Sequence, residues 1–131
     1  MSGYLLDTSV FLWSLANPEK LNRKAMALLE DAQQSLFLSP ASSWEISIKW
    51  ALGKLKLPEA PSAYVTKRLS SRGIRSLPIP HACLAAGELP AHHADPFDRM
   101  LVAQAQGEDM VLLTADAVFR KYDVETLWCG K

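Results

Sequence analysis

Apolar positions along this chain follow two rhythms. Five short runs read as strands: Tyr4 to Leu6, Leu36 to Leu38, Ile74 to Leu77, Met110 to Leu113 and Val124 to Trp128. Most are apolar at successive positions, which marks strands buried on both faces of a parallel sheet. Between them the spacing is helical. Leu21, Ala25, Leu28, Leu29 and Ala32 predict a helix over about 18–33, opened by Asn17-Pro18. A second helix is expected from Ser42 to about Leu52, with Gly53 to close it. Pro58 and Pro61 precede a third over about 61–72, ending at Gly73. His81 to Glu88 predicts a short helix, stopped by Leu89-Pro90. Asp95-Pro96 supplies an N-cap and a first-turn proline for a helix to Gln106, closed by Gly107. A last short helix is expected after Asp116.

Strands alternating with helices predict an α/β fold, a three-layer arrangement with a central parallel, short-stranded sheet flanked by helices. At 131 residues, with no repeat or linker, the chain is expected to be a single domain over 1–131. Hydrophobic residues make up 49%, enough for a core at this size.

Fourteen basic residues balance fourteen acidic ones. The balance hides a local bias. Lys49, Lys54, Lys56, Lys67, Arg68, Arg72 and Arg75 meet one acid, Glu59, in the same stretch. It reads either as a solvated helical face or as a phosphate-facing patch. Cys83 and Cys129 form no metal-binding spacing and suit a reducing, cytoplasmic setting. No secretory leader is legible, and no apolar run approaches the roughly 18 residues of a membrane span.

The chemistry lies in four carboxylates. Asp7 follows the first strand, and Glu45 opens the helix after the second. Asp98 opens the helix before the fourth, and Asp116 follows that strand. In a parallel sheet Asp7, Glu45 and Asp116 fall at the carboxyl edge, where open α/β sheets present ligands. Asp98 joins them if its helix starts there. Clustered carboxylates repel and raise one another's pKa. A hard divalent cation, Mg²⁺ or Mn²⁺, relieves that cost, and can activate water for an in-line phosphoryl displacement. Each acid also has a plainer reading. Asp7 and Asp116 can cap helices, Ser42 and Glu45 fit a capping box, and Asp98 suits a helix dipole. The residues alone leave both readings open.

The segments LLDTSVFLW, SPASSWEISIKWALGKLKL, LPAHHADPFDRMLVAQA and VLLTADAVFRKY, in this order, resemble the PIN-domain family. More closely, they resemble VapC-type toxins of bacterial toxin–antitoxin modules. The resemblance spans nearly the whole chain and implies a Mg²⁺- or Mn²⁺-dependent endoribonuclease, blocked by a VapB-type antitoxin. It implies that Asp7, Glu45, Asp98 and Asp116 are the catalytic and metal-holding acids. It suggests supporting roles for the hydroxyls of Thr8, Ser9 and Thr114, although Ser9 reads more simply as a turn residue. Asp95 is expected to be an N-cap outside the primary set.

Other residues are weighed against this site. His92 and His93 are adjacent and cannot chelate as a pair. His93, Arg99, Lys49, Lys54 and Lys56 are candidate RNA contacts. Trp13, Trp44, Trp50 and Tyr64 can stack on bases or serve as core or interface residues. Trp50 and Leu52 lead to the expectation of a homodimer, and the antitoxin is expected to place a basic side chain in the acidic site.

Two other classes remain as alternatives. One is a non-catalytic module whose acidic rim only docks a basic partner. The other is an aspartyl-phosphate phosphatase, which Ser9 disfavours, because such sites commonly need a second aspartate two residues after the first. No P-loop or GxGxxG supports a nucleotide-driven function.

Overall fold

Each apolar run yields only a few residues of strand. The computed structural model, describing residues 3–131, contains β1 (Tyr4–Leu6), β2 (Leu36–Leu38), β3 (Ile74–Ser76), β4 (Val111–Thr114) and β5 (Thr126–Trp128). They form one sheet in the order β3-β2-β1-β4-β5, parallel throughout. Five α-helices surround it: α1 (Thr8–Ala16), α2 (Arg23–Glu30), α3 (Pro40–Ala51), α4 (Pro61–Arg72) and α5 (Pro96–Glu108). Segments Pro18–Lys20, His81–Glu88 and Ala117–Lys121 are 3₁₀ turns.

Strand alternation divides the core into two layers. Leu6, Leu38 and Leu113 face one way and pack with Val10, Phe11 and Ile46. Leu5, Phe37 and Leu112 face the other way, onto Leu101, Val102 and Phe119. Burial on both faces accounts for the unbroken apolar runs.

The chain leaves β1 toward β2 and later returns to the other side of β1 as β4, so the sheet has its topological switch point there. A helix linking two parallel strands runs back along them. Its N-terminus therefore lies at the carboxyl edge, and this places the start of α5 beside the ends of β1 and β4.

Several boundaries differ from expectation. Helix α1 was not anticipated, because TSVFLW is rich in β-branched and aromatic residues and lacks a polar face. The helix expected over 18–33 divides. Leu21 pairs with Gly130, and the Asn22 side chain donates to the carbonyls of Trp128 and Gly130 while accepting the Ala25 amide. That tertiary pairing interrupts the periodicity, and only α2 remains α-helical. Helix α3 begins at Pro40 rather than Ser42, and α5 runs through Gly107 to Glu108. The left-handed residue that closes α5 is Asp109, at φ 54°. Gly73 closes α4 as expected, at φ 65°. No helix among the described residues is long and apolar enough to cross a membrane.

Candidate active site

A single residue, Asp7, separates β1 from α1. Its amide donates to the Leu113 carbonyl at 2.9 Å, which fixes it against the end of β4. It occupies the N-cap position of α1, yet its side chain caps nothing. Instead Oδ2 accepts the Thr114 hydroxyl at 2.9 Å. Thr114 Oγ1 in turn accepts the Asp116 amide at 3.0 Å, so one hydroxyl ties both acidic loops together.

Glu45 is placed by the start of α3. Ser39, at the end of β2, takes the N-cap and accepts the Ala41 amide at 3.0 Å. The capping box expected between Ser42 and Glu45 is therefore absent. Ser42 is buried with no hydrogen-bond partner for its hydroxyl. Glu45, also buried, accepts Thr8 Oγ1 at 2.8 Å and Lys49 Nζ at 2.7 Å. Thr8 and Thr114 thus each orient one carboxylate.

Asp95 is the N-cap of α5, and its Oδ1 accepts the amides of Phe97 and Asp98 at 2.9 and 3.1 Å. Asp98, in the first turn, meets His93 Nε2 at 3.3 Å. Asp116 is exposed and caps the following 3₁₀ turn through the Val118 amide.

All four carboxylates line one cavity of about 370 Å³, together with Thr8, Ser9, Lys49, Lys54 and Asp95. The cavity is short of positive charge. Burial first, and then the charges of Asp7, Asp95, Glu45 and Asp116, push Asp98 up to about 8. Burial likewise pushes Asp7 up to about 6, against the stabilising hydrogen bond from Thr114. The hydrogen bond to Glu45 holds Lys49 above its ordinary value.

The donor set is all hard oxygen, which suits Mg²⁺ or Mn²⁺. Among the described residues, no three acidic, histidine or thiol side chains converge closely enough to enclose an ion unaided.

A family model for the PIN domain matches residues 4–125. The chain belongs to the PIN domain family. It is 43% identical over 56 residues to Ribonuclease VapC16 of Mycobacterium tuberculosis, a match covering 43% of this chain and 40% of that protein. The chain therefore matches less than half the length of that relative. The fold is similar to that in VapBC2 from Rickettsia felis bound to a promoter DNA fragment, with TM-score 0.71 and 17% identity over 98% of this chain and 99% of that one. It is also similar to DNA-bound VapBC from Salmonella typhimurium, with TM-score 0.69 and 20% identity over 97% and 98%.

Within this PIN domain the remaining candidates separate. Lys49 and Lys54 line the cavity, whereas Lys56 is exposed outside its lining. The rest of the basic stretch is dispersed. Lys67 pairs with Glu59 at 3.1 Å, and Arg68 and Arg75 lie over the rings of Tyr64 and Phe37. Tyr64 is buried and unavailable for stacking, and Trp13 is partly buried beneath Lys20. Arg99 is not among the residues that line the cavity. Its guanidinium donates to the carbonyls of Ala86, Leu89, Pro90 and His93. Asp95 lines the cavity although it was set outside the primary acids. Its three-residue spacing from Asp98 on one helix face was the available signal. Nothing local in the sequence pointed to Tyr122, which contacts His93.

Proposed function

We propose that this protein is a metal-dependent endoribonuclease of the VapC type, the toxin partner of a VapB-type antitoxin. The observation that carries this reading is the single cavity lined by Asp7, Glu45, Asp98 and Asp116, four carboxylates from four separate parts of the chain. The partial match to a VapC ribonuclease and the folds of VapBC complexes support the same assignment.

Asp7, Glu45, Asp98 and Asp116 would hold Mg²⁺ or Mn²⁺, directly or through water. When bound, such an ion offsets the charge of a phosphoryl displacement and lowers the pKa of water. The chain's own residues prepare the place. Thr114 orients Asp7 and Thr8 orients Glu45. Asp7 and Asp98, whose carboxyls burial holds above the usual range, would hold such an ion in their ionised forms. Lys49 and Lys54, on the cavity wall, neutralise RNA phosphates. The reaction needs no histidine base.

The antitoxin reading follows from the same charge. A basic side chain entering the cavity relieves the repulsion that a metal would otherwise relieve. Trp50 and Leu52 are 40% and 64% exposed, apolar side chains that a homodimer would cover. The protein is proposed to act in the cytoplasm.

The deciding experiment incubates total RNA with the purified, antitoxin-free protein and Mn²⁺, with EDTA and Asp7→Asn as controls. Discrete products lost in both controls are expected. A folded protein that neither binds Mn²⁺ nor cleaves RNA would instead be a docking module.

A further inference from the structure

Asp98 is met by an imidazole, and the imidazole is backed by a chain of donors. His93 Nε2 lies 3.3 Å from Asp98 Oδ2. On the other side of the ring, Nδ1 lies 2.7 Å from the Tyr122 hydroxyl. Arg99 Nη1 donates to that same hydroxyl at 3.3 Å. Arg99 is anchored in turn by backbone carbonyls, including those of Ala86 and Leu89 at 3.0 and 2.9 Å. Tyr122 is buried in the second core layer.

The direction of the chain follows from donor chemistry. A guanidinium only donates. A phenol that accepts from it keeps its own proton for another acceptor, and the short contact to His93 Nδ1 provides one. A ring that accepts at Nδ1 donates from Nε2, which faces Asp98. We propose that Arg99, Tyr122 and His93 form a directed hydrogen-bond chain that orients the Asp98 carboxylate, with His93 a positioning residue.

The device answers a specific need. Asp95 fixes the backbone at the start of α5 but leaves the Asp98 side chain free to choose among rotamers. One ordered donor selects the rotamer and leaves the second oxygen for the cavity. Hydrogen-bond partners behind ligating carboxylates typically matter 10- to 100-fold in metal affinity or activity. The consequence for catalysis rests on the nuclease reading, whereas the direction of the chain does not.

Imidazole nitrogen NMR on the full, EDTA-treated chain at about pH 9, where Asp98 is ionised, tests the direction. His93 is expected as the Nε2–H tautomer, and as a tautomer mixture in Tyr122→Phe. An Nδ1–H tautomer or a doubly protonated ring in the unsubstituted protein would overturn the proposal. Calorimetric Mn²⁺ titration and RNA kinetics test the consequence. His93→Leu should lower Mn²⁺ affinity and kcat by about 10- to 100-fold with little change in KM. His93→Gln, whose amide can donate from the Nε2 place, should recover most of both. Equal losses in the two variants would overturn the positioning role. An Nε2–H tautomer in a chain that neither binds Mn²⁺ nor cleaves RNA would uphold the hydrogen-bond chain and remove the nuclease reading.

Discussion

Thr114 donates its hydroxyl to Asp7 across 107 residues of sequence, at 2.9 Å and wholly buried. The same oxygen accepts the Asp116 amide. Thr114→Val keeps the shape and loses both bonds. Unfolding in urea should show a loss of about 1–3 kcal/mol, the usual cost of stranding buried polar groups. Mn²⁺ affinity should fall as well, because the Thr114 bond favours the charged form of Asp7.

Stability without metal should decline as pH rises. Asp7 and Asp98 are raised from 3.8 to about 6 and about 8. Between those limits the folded chain binds more protons than the unfolded one, so folding weakens as pH increases through that window. The Asp7 shift alone corresponds to about 3 kcal/mol. Melting in EDTA should give a higher Tm at pH 5 than at pH 8, and Mn²⁺ should narrow the difference. A flat profile would show that the cavity is already neutralised.

Asp95 and Asp98 should separate cleanly by substitution. Asp95→Asn preserves the N-cap, since Asn caps as well as Asp, and should leave Tm and RNA cleavage nearly unchanged. Asp95→Ala should cost about 1 kcal/mol of stability. Asp98→Asn should abolish cleavage and leave the fold intact. Loss of cleavage in Asp95→Asn would move that residue into the catalytic set.

Lys49 is half exposed, so its ion pair with Glu45 adds little to stability. Its effect should appear in RNA binding. In an Asp7→Asn background, Lys49→Met should reduce the salt slope of RNA affinity by about one. Arg99→Met should leave that slope alone and lower Tm, because it removes the clamp on residues 86–93.

The exposed apolar residues predict self-association. Light scattering at micromolar concentration should give a dimer that Trp50→Glu weakens. A monomer in the unsubstituted protein would rule out the dimer.

The alternation of element types was legible because strand residues here are buried on both faces, and uninterrupted apolar runs such as Leu36-Phe37-Leu38 record that directly. Helix α1 was hidden for a related reason. Its residues contact core on several sides, so no polar stripe marks the helical period. Asp7 and Asp116 could be placed at one edge from strand order alone. Asp98 could not, since its position depends on where α5 begins in space. Glu45 looked like a cap because the sequence does not reveal that Ser39, held at the end of β2, already fills that role. The anchoring of Arg99 was not legible because most of its acceptors are backbone carbonyls, and main-chain groups leave no trace in a sequence.

The central place of β1 has a bearing on how the chain is made. Its neighbour β4 is synthesised about a hundred residues later, and the cavity wall needs Asp116 as well. A nascent chain that has emerged only as far as α4 lacks Asp98 and Asp116, and so lacks part of the acidic cavity. Proposed as a destroyer of RNA, this protein would stay harmless to its own template and ribosome until Asp116 had been translated.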